Sequence, residues 1–197
     1  MLSKAPRPPA CPWHRRARGV TLMLCLWLAG ASSAAASEEI IEARFIEPTT
    51  RYAHGVLGDD VEYGALELRV ETRGSDNVQT LRTIRLPQDR VFEDLSPRLV
   101  DMDSDGMPEV IVVESHAQLG AQLAIYDASG TKIAATPHIG TRFRWLAPIG
   151  AADLDGDGYT EIAYIDRPHL AKTLRIWRYK EGALAEIASL QGLTNHR

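Results

Sequence analysis

Two short acidic stretches carry the residue types best suited to chemistry. Residues 101–109 read DMDSDGMPE and residues 153–161 read DLDGDGYTE. Each stretch has aspartates at positions 1, 3 and 5, a glycine at position 6 and a glutamate at position 9. Like charges this close repel one another unless they are solvated or share a cation. The spacing therefore leaves two alternatives, which are acidic hairpin turns and metal-binding loops.

The alternation of side chains explains how such a loop could hold a metal ion. In an extended segment, positions 1, 3 and 5 point to one side and position 2 to the other, so we expect Met102 and Leu154 to face the core. A glycine at position 6 permits the positive φ that folds the loop back. The predicted ligands are the carboxylates and the backbone carbonyl at position 7, namely Asp101, Asp103, Asp105, Met107 and Glu109, and Asp153, Asp155, Asp157, Tyr159 and Glu161.

This set of ligands indicates calcium. Ca²⁺ takes about six to eight oxygen ligands, whereas neither loop has the Cys or His side chains that zinc and copper prefer. An EF-hand is excluded because it needs a glutamate at position 12, where the two loops have Val112 and Tyr164. Asp-Gly turns remain the alternative, but the repetition of all four acids and the glycine favours calcium.

A second candidate site is a basic group on either side of the second loop. Arg142 and Arg144 precede this loop, and Arg167 and His169 follow its outgoing strand. Cationic side chains bind carboxylates through charge-assisted hydrogen bonds, so these four residues are candidates to receive an acidic sugar or another carboxylate. The alternative is a solvated loop whose aromatic residues pack inward.

Signatures of common enzyme classes are absent from the sequence, including G-x-S-x-G, H-E-x-x-H and the P-loop. His54, His116 and His138 each stand alone and are expected to be structural or solvated.

Two functions stay open. One is a non-catalytic, calcium-stabilised module that binds or adheres to a protein or glycan. The other is an exported enzyme acting on polysaccharides, a lyase or hydrolase, or its accessory domain. The lack of an acid–base pair outside the loops favours the first.

The acidic loops belong to a longer repeat with a period of about fifty residues. Apolar runs follow both loops, EVIVV at 109–113 and EIAYI at 161–165. Further on, LAIYDASG at 123–130 corresponds to LRIWRYKEG at 174–182, which places Tyr126 and Trp177 at matching positions. A degenerate copy precedes them, and its acidic loop has decayed to Asp59, Asp60 and Glu62, so no metal is assigned there.

Each copy contains four short runs rich in β-branched and aromatic residues, bounded by turn residues. Four strands per repeat is typical of a β-propeller blade. We therefore predict an all-β fold, a partial β-propeller-like array of about three four-stranded blades, with a degenerate blade at 44–90 and blades at 91–142 and 143–191. Closed propellers need about four to eight blades, so the array is open or the chain is part of a longer one.

The first 36 residues resemble a secretory signal peptide. They combine five basic residues, an apolar run at 19–30 and the small residues Ala34, Ala35 and Ala36. The apolar run is short for a transmembrane helix, which needs about 20 residues, so an uncleaved anchor is the lesser alternative. We predict cleavage before Ser37, with residues 37–197 forming one repeat domain in the periplasm or outside the cell. Both cysteines would be lost with the signal peptide.

The charge balance excludes some partners. Residues 37–197 carry 17 basic and 26 acidic residues, a net charge of −9. Nucleic acids and anionic membranes both demand a basic face. We therefore expect no nucleic acid and no membrane insertion after signal cleavage, and a protein or glycan as the ligand. The oligomeric state cannot be read from the sequence.

The loops with their following strands, DMDSDGMPEVIVV and DLDGDGYTEIAYI, resemble the D-x-D-x-D-G-x-x-[DE] loops of FG-GAP and VCBS-type repeats. The resemblance covers residues 91–191 well and 44–87 weakly. It implies calcium-bearing blades like those of the integrin α-chain propeller and of many exported bacterial proteins, which serve adhesion, glycan binding and lyase scaffolds. The family's Phe-Gly…Gly-Ala-Pro signature is not clearly present, since residues 147–150 read APIG.

Overall fold

The computed structural model describes residues 37–74 and 77–195. Within these ranges the chain forms β-strands and no helix, which confirms the predicted all-β class. The strands are β1 (Ser37–Thr49), β2 (Glu62–Arg73), β3 (Val78–Arg85), β4 (Arg90–Phe92), β5 (Arg98–Val100), β6 (Glu109–His116), β7 (Gly120–Tyr126), β8 (Lys132–Ala135), β9 (Leu146–Ala152), β10 (Glu161–Asp166), β11 (Thr173–Lys180) and β12 (Ala183–Gln191).

The predicted signal peptide, residues 1–36, lies outside the described residues. Ser37, the predicted first residue after cleavage, begins β1. The described part of the chain contains no helix long and apolar enough to span a membrane.

The first eight strands form one antiparallel sheet in the order β1-β2-β4-β6-β7-β8. Strand β3 also pairs with β2, and β5 also pairs with β6. The two groups of strands are joined by β4, whose Phe92 lies opposite Tyr63 of β2 and Glu114 of β6. Phe92 is buried and stacks on Phe45 with ring centroids 5.4 Å apart, so apolar packing reinforces this junction.

The last four strands form a separate antiparallel sheet in the order β12-β11-β10-β9. Both sheets are open, and neither closes into a barrel or a full propeller. An open array of propeller-like blades accounts for this arrangement, as the repeat pattern predicted.

Strands β6 and β7 form the middle layer of the molecule. Successive side chains of a strand point to opposite faces, and both faces of these strands are buried. Val110 and Val112 belong to a core cluster shared with β1 and β2. Ile111 and Val113 belong to a second cluster, which includes Ile162 and other residues of the last sheet. Burial on both faces explains why residues 109–113 are apolar after the glutamate instead of alternating with polar residues.

Candidate functional site

The first acidic loop lies between β5 and β6 and gathers three of its predicted metal ligands. Carboxylate oxygens of Asp101, Asp103 and Glu109 lie within 4.8 Å of one another. Asp105 lies outside this group of three, and its Oδ1 accepts a hydrogen bond from the Met107 N–H at 2.7 Å. The structure thus brings together three of the four predicted carboxylates.

Local hydrogen bonds and one buried side chain hold this loop. The Gly106 N–H donates to Asp101 Oδ2 at 2.9 Å, and the Met102 N–H donates to Glu109 Oε2 at 2.9 Å. Gly106 has φ 85°, as its position predicted, and Ser104 has φ 64°, which the sequence pattern did not reveal. Met102 is 1% exposed and packs in the second core cluster, so the loop is anchored to the core at position 2.

The first loop is acidic without a nearby cation. Among the described residues, no Lys, Arg or His nitrogen lies within 4.0 Å of its four carboxylates. Asp101 Oδ1 is buried and has no hydrogen-bond partner. Burial raises the pKa of Glu109 to about 7, and the charges of Asp103 and Asp105 add to that effect. These features fit a cation bound among the three carboxylates.

The second acidic loop lies between β9 and β10 and repeats the same internal geometry. Oxygens of Asp153, Asp155 and Glu161 lie within 4.8 Å of one another. The Gly158 N–H donates to Asp153 Oδ2 at 2.9 Å, and the Leu154 N–H donates to Glu161 Oε2 at 2.8 Å. The hydrogen bonds from backbone N–H groups, first of all from Gly158, lower the pKa of Asp153.

The remaining predicted ligands of this loop are placed as in the first. Asp157 Oδ1 accepts a hydrogen bond from the Tyr159 N–H at 3.0 Å, as Asp105 does from Met107. Gly156 and Gly158 have φ 79° and 88°. Most hydrogen bonds of the two loops match, but Asp153 Oδ1 accepts a hydrogen bond from the Gly156 N–H at 2.7 Å, whereas Asp101 Oδ1 has no such partner.

The two loops differ in that a guanidinium group lies in the second. Arg178 of β11 contacts three of its carboxylates, those of Asp155, Asp157 and Glu161. Hydrogen bonds to Glu161 and then to Asp155 raise the pKa of Arg178. One side chain of the same sheet thus offsets part of the negative charge of the second loop, whereas the first loop has no such partner among the described residues.

The expectation that position 2 faces the core is wrong for the second loop. Leu154 is 57% exposed, whereas its counterpart Met102 is buried. Met102 is covered by residues of the last sheet, including Ile162 and Tyr179. Within the described residues no further sheet follows to cover Leu154. The repeat pattern makes Leu154 equivalent to Met102 but could not reveal what packs over it.

The basic group forms part of a cavity at the far end of the β9–β10 hairpin. Asp166 pairs with Leu146, so the residues before β9 lie beside the residues after β10. The cavity measures about 330 Å³ and is lined by His54, Val56, Phe143, Arg144, Trp145, Arg167, Pro168, His169 and Leu170. Three of the four predicted ligand-binding residues, Arg144, Arg167 and His169, lie together here. A seven-residue strand spans about 20 Å, so the cavity is far from the second acidic loop.

Arg142, the fourth predicted ligand-binding residue, does not line this cavity. Its guanidinium carbon lies 4.2 Å from the centre of the Phe143 ring, a cation–π contact. Arg144 donates to the Phe143 carbonyl at 2.7 Å, and no described carboxylate lies within 4.0 Å of its guanidinium. Arg167 is paired with Asp166 at 2.7 Å. Of the three arginines, Arg144 is therefore the cavity residue with unused charge.

Close backbone packing holds Arg144 at the cavity. The Ala121 N–H donates to the Arg144 carbonyl at 2.9 Å. Gly120, next in the chain, has φ 71°, and a Cβ at that position would meet the Thr141 carbonyl oxygen at 2.2 Å. Phe143 and Arg167 have φ 53° and 45°, conformations that cost side-chain-bearing residues energy and often occur at functional sites.

His54, which lines the same cavity, forms a pair with the buried Glu93 that the sequence did not reveal. His54 Nδ1 lies 2.5 Å from Glu93 Oε1, and Glu93 is fully buried. Glu93 also accepts a hydrogen bond from Ser115 Oγ. His54 stacks on Phe143 with ring centroids 5.2 Å apart. His54 and Glu93 are 39 positions apart and no motif links them, so only the folded structure reveals the pair.

The other single histidines also have partners. His116 Nε2 lies 3.3 Å from Asp89 Oδ2, and its ring lies 5.6 Å from that of His138. His138 Nδ1 lies 2.8 Å from the Gly120 carbonyl, and burial lowers its pKa. Each of the three histidines therefore has a partner in the fold, and a structural role for His138 fits these contacts.

Comparison with known proteins gives one match. Residues 101–164 match the family model described as an FG-GAP-like repeat. This segment is about a third of the chain and includes both acidic loops. Neither the curated proteins nor the solved structures contain a match to the chain. From Asp101 to Tyr164, the chain therefore contains FG-GAP-like repeat sequence, as the acidic loops indicated.

Proposed function

We propose that the chain is a calcium-binding repeat module that acts in protein or glycan binding and is not catalytic. The observation that carries the calcium assignment is the buried Asp101 Oδ1, which lacks a hydrogen-bond partner beside Asp103 and Glu109. A buried carboxylate oxygen without a partner is costly, and a bound cation removes that cost. Asp105 and the Met107 carbonyl would complete an oxygen site of the kind that calcium prefers.

The proposed ion has a structural task. The first loop connects β5 to β6, and Thr160 of the second loop donates to the Asp101 carbonyl at 3.4 Å. An ion in the first loop would therefore hold a segment on which the last sheet packs. Titration of calcium into the Asp103→Asn variant tests the assignment, because this variant loses one ligand charge and should lose or strongly weaken the site.

We place the ligand-binding surface at the cavity beside Arg144. Arg144 has no described carboxylate partner within 4.0 Å, and the cavity also contains the aromatic rings of Phe143 and Trp145. The Trp145 Nε1–H donates to the Glu93 carbonyl at 2.8 Å, which fixes that ring. A cation beside fixed aromatic rings suits a saccharide or peptide that bears a carboxylate.

The Arg144→Gln variant is expected to bind oligosaccharides of glucuronic acid about 10- to 100-fold more weakly than the parent. A hydrogen bond to a charged group contributes about 1.5–3 kcal/mol, which corresponds to that range. Affinity is measured by titration calorimetry at two salt concentrations. Arg44→Gln is the control, because it removes an exposed arginine from β1. Equal affinities of Arg144→Gln and the parent would contradict the placement of the ligand.

A polysaccharide lyase is a second candidate function, and the histidine–glutamate pair favours it. Glu93 is paired with Nδ1 of His54, and the His54 ring lines the cavity. Nε2 is therefore the ring nitrogen that could act as a base toward a bound substrate. Arg144 could then neutralise a uronate carboxylate. The glucuronic-acid assay separates the two functions, because only a lyase releases unsaturated products. Such products from the parent and none from His54→Gln would favour the enzyme.

We also propose that the protein is exported to the periplasm or beyond, as the first 36 residues suggest. The mature chain would begin at Ser37, the first residue of β1. N-terminal sequencing of the protein from cell-envelope and medium fractions is expected to start at or near Ser37. A chain from those fractions that still begins at Met1 would contradict signal cleavage.

A further inference from the structure

Arg178 reaches into the second acidic loop and contacts a different carboxylate with each of its three nitrogens. Nε lies 2.6 Å from Glu161, Nη2 lies 2.6 Å from Asp155 and Nη1 lies 2.8 Å from Asp157. We propose that the Arg178 guanidinium group takes the place of a metal ion in this loop. The second loop is then closed by an internal ion-pair network, and the chain has one calcium site instead of two.

Strand register places Arg178 there. In the last sheet, Ile162 lies opposite Trp177 and Glu161 lies opposite Arg178. Cross-strand neighbours on one face are close enough to interact. Since β10 leaves the loop at Glu161, its partner in β11 lies beside the loop. The side chain is 23% exposed, so the contacts are partly shielded from water.

The first repeat has the opposite charge at the corresponding position. Val110 lies opposite Tyr126 as Ile162 lies opposite Trp177, so the residue after Tyr126, Asp127, corresponds to Arg178. Asp127 Oδ1 accepts hydrogen bonds from Ser129 Oγ at 2.6 Å and from the Thr131 N–H at 2.9 Å. It adds negative charge next to a loop that already lacks a cation.

The guanidinium group and a metal ion compete for the same oxygens. Two of the three clustered acids of the second loop, Asp155 and Glu161, are held by Arg178. A planar guanidinium can satisfy several carboxylates at once. A Ca²⁺ ion could enter only if Arg178 left, because two cations among the same carboxylates would repel each other. The arginine therefore determines which of two similar loops binds metal.

The test uses the Asp103→Asn variant as its background, because the first loop of this variant should no longer bind calcium. This proposal rests on the proposed function only in taking the first loop as the calcium site. In the Asp103→Asn background, failure of the Arg178 proposal can be distinguished from failure of the first-loop site. Calorimetric titration with CaCl₂ is expected to detect no site in Asp103→Asn and one site, with Kd of about 1 mM or below, in Asp103→Asn with Arg178→Gln. Arg178→Lys in the same background keeps the charge and should gain no site.

Thermal melting provides a second readout. The Arg178→Gln variants should melt at lower temperature than their parents in chelator and regain stability in millimolar calcium, because the ion replaces the lost cation. A calcium site in Asp103→Asn that Asp155→Asn removes would overturn the proposal. So would a folded Arg178→Gln variant that gains neither a site nor calcium-dependent stability. If the original chain binds no calcium but the Arg178→Gln variant does, the first-loop calcium site is refuted and the proposal for Arg178 is supported.

Discussion

The Glu62→Gln variant is expected to melt about 5 to 10 °C higher than the parent at pH 8.5 and at nearly the same temperature at pH 4. Glu62 is 1% exposed, and neither of its carboxylate oxygens has a hydrogen-bond partner. Burial raises its pKa to about 8, and the charges of Glu93, Asp59 and Asp94 act in the same direction. The ionised form is thus disfavoured in the folded state.

The sign of the pH dependence follows from the order in which the two states lose the proton. The unfolded chain ionises near the ordinary value of 4.5, whereas the folded chain keeps the proton until about pH 8. Stability therefore falls as pH rises from about 4.5 to 8 and falls no further from this group above that. The shift from 4.5 to about 8 corresponds to at most about 5 kcal/mol. Relaxation of the buried site reduces this penalty to about 2 to 4 kcal/mol, which corresponds to the expected melting shift for a domain of this size.

Melting curves of both chains across pH 4 to 9 measure this effect in chelator. The two chains share every other titrating group, so the difference between them isolates Glu62. Glu62→Met should be more stable than the parent at all pH values, since it removes the buried polar atoms as well. A difference between Glu62→Gln and the parent that does not change with pH would contradict the account.

Removal of calcium is expected to lower the melting temperature by about 3 to 6 °C, relative to the protein at a calcium concentration ten times Kd. An ion that binds only the folded state adds about 1.4 kcal/mol at that concentration, and about 1 kcal/mol moves the melting temperature of such a domain by about 2 to 4 °C. We expect this effect to come from the first loop, because Arg178 occupies the carboxylates of the second.

The Asp103→Asn variant should melt at the same temperature in chelator and in calcium, since it lacks the site. The Glu42→Gln variant removes the same charge from an exposed position of β1 and should respond to calcium as the parent does. A calcium response in Asp103→Asn as large as that of the parent would place the ion elsewhere.

The sequence predicted features that depend on residues near one another in the chain. The acids at alternate positions and the glycines with positive φ follow from local conformation, and both loops have them. Apolar runs such as 109–113 likewise indicated buried strands, which β6 confirms.

Most of the features that the sequence missed depend on contacts between segments that are far apart in the chain. Arg178 neutralises Glu161 from 17 positions away because β10 and β11 pair in one particular register. Glu93 reaches His54 across 39 positions. Leu154 is exposed because its sheet has no described layer over it. Repeat patterns indicate which residues occupy equivalent positions. They cannot reveal which distant side chains contact those residues in each repeat.

The most direct measurement of the central claim is a calorimetric titration of calcium into the parent, Asp103→Asn and Glu42→Gln chains. We expect one site with Kd of about 10⁻⁴ to 10⁻³ M in the parent and in Glu42→Gln, and no site in Asp103→Asn. The absence of calcium binding in the parent, or an isotherm that Asp103→Asn leaves unchanged, would contradict the claim that the first acidic loop is a calcium site.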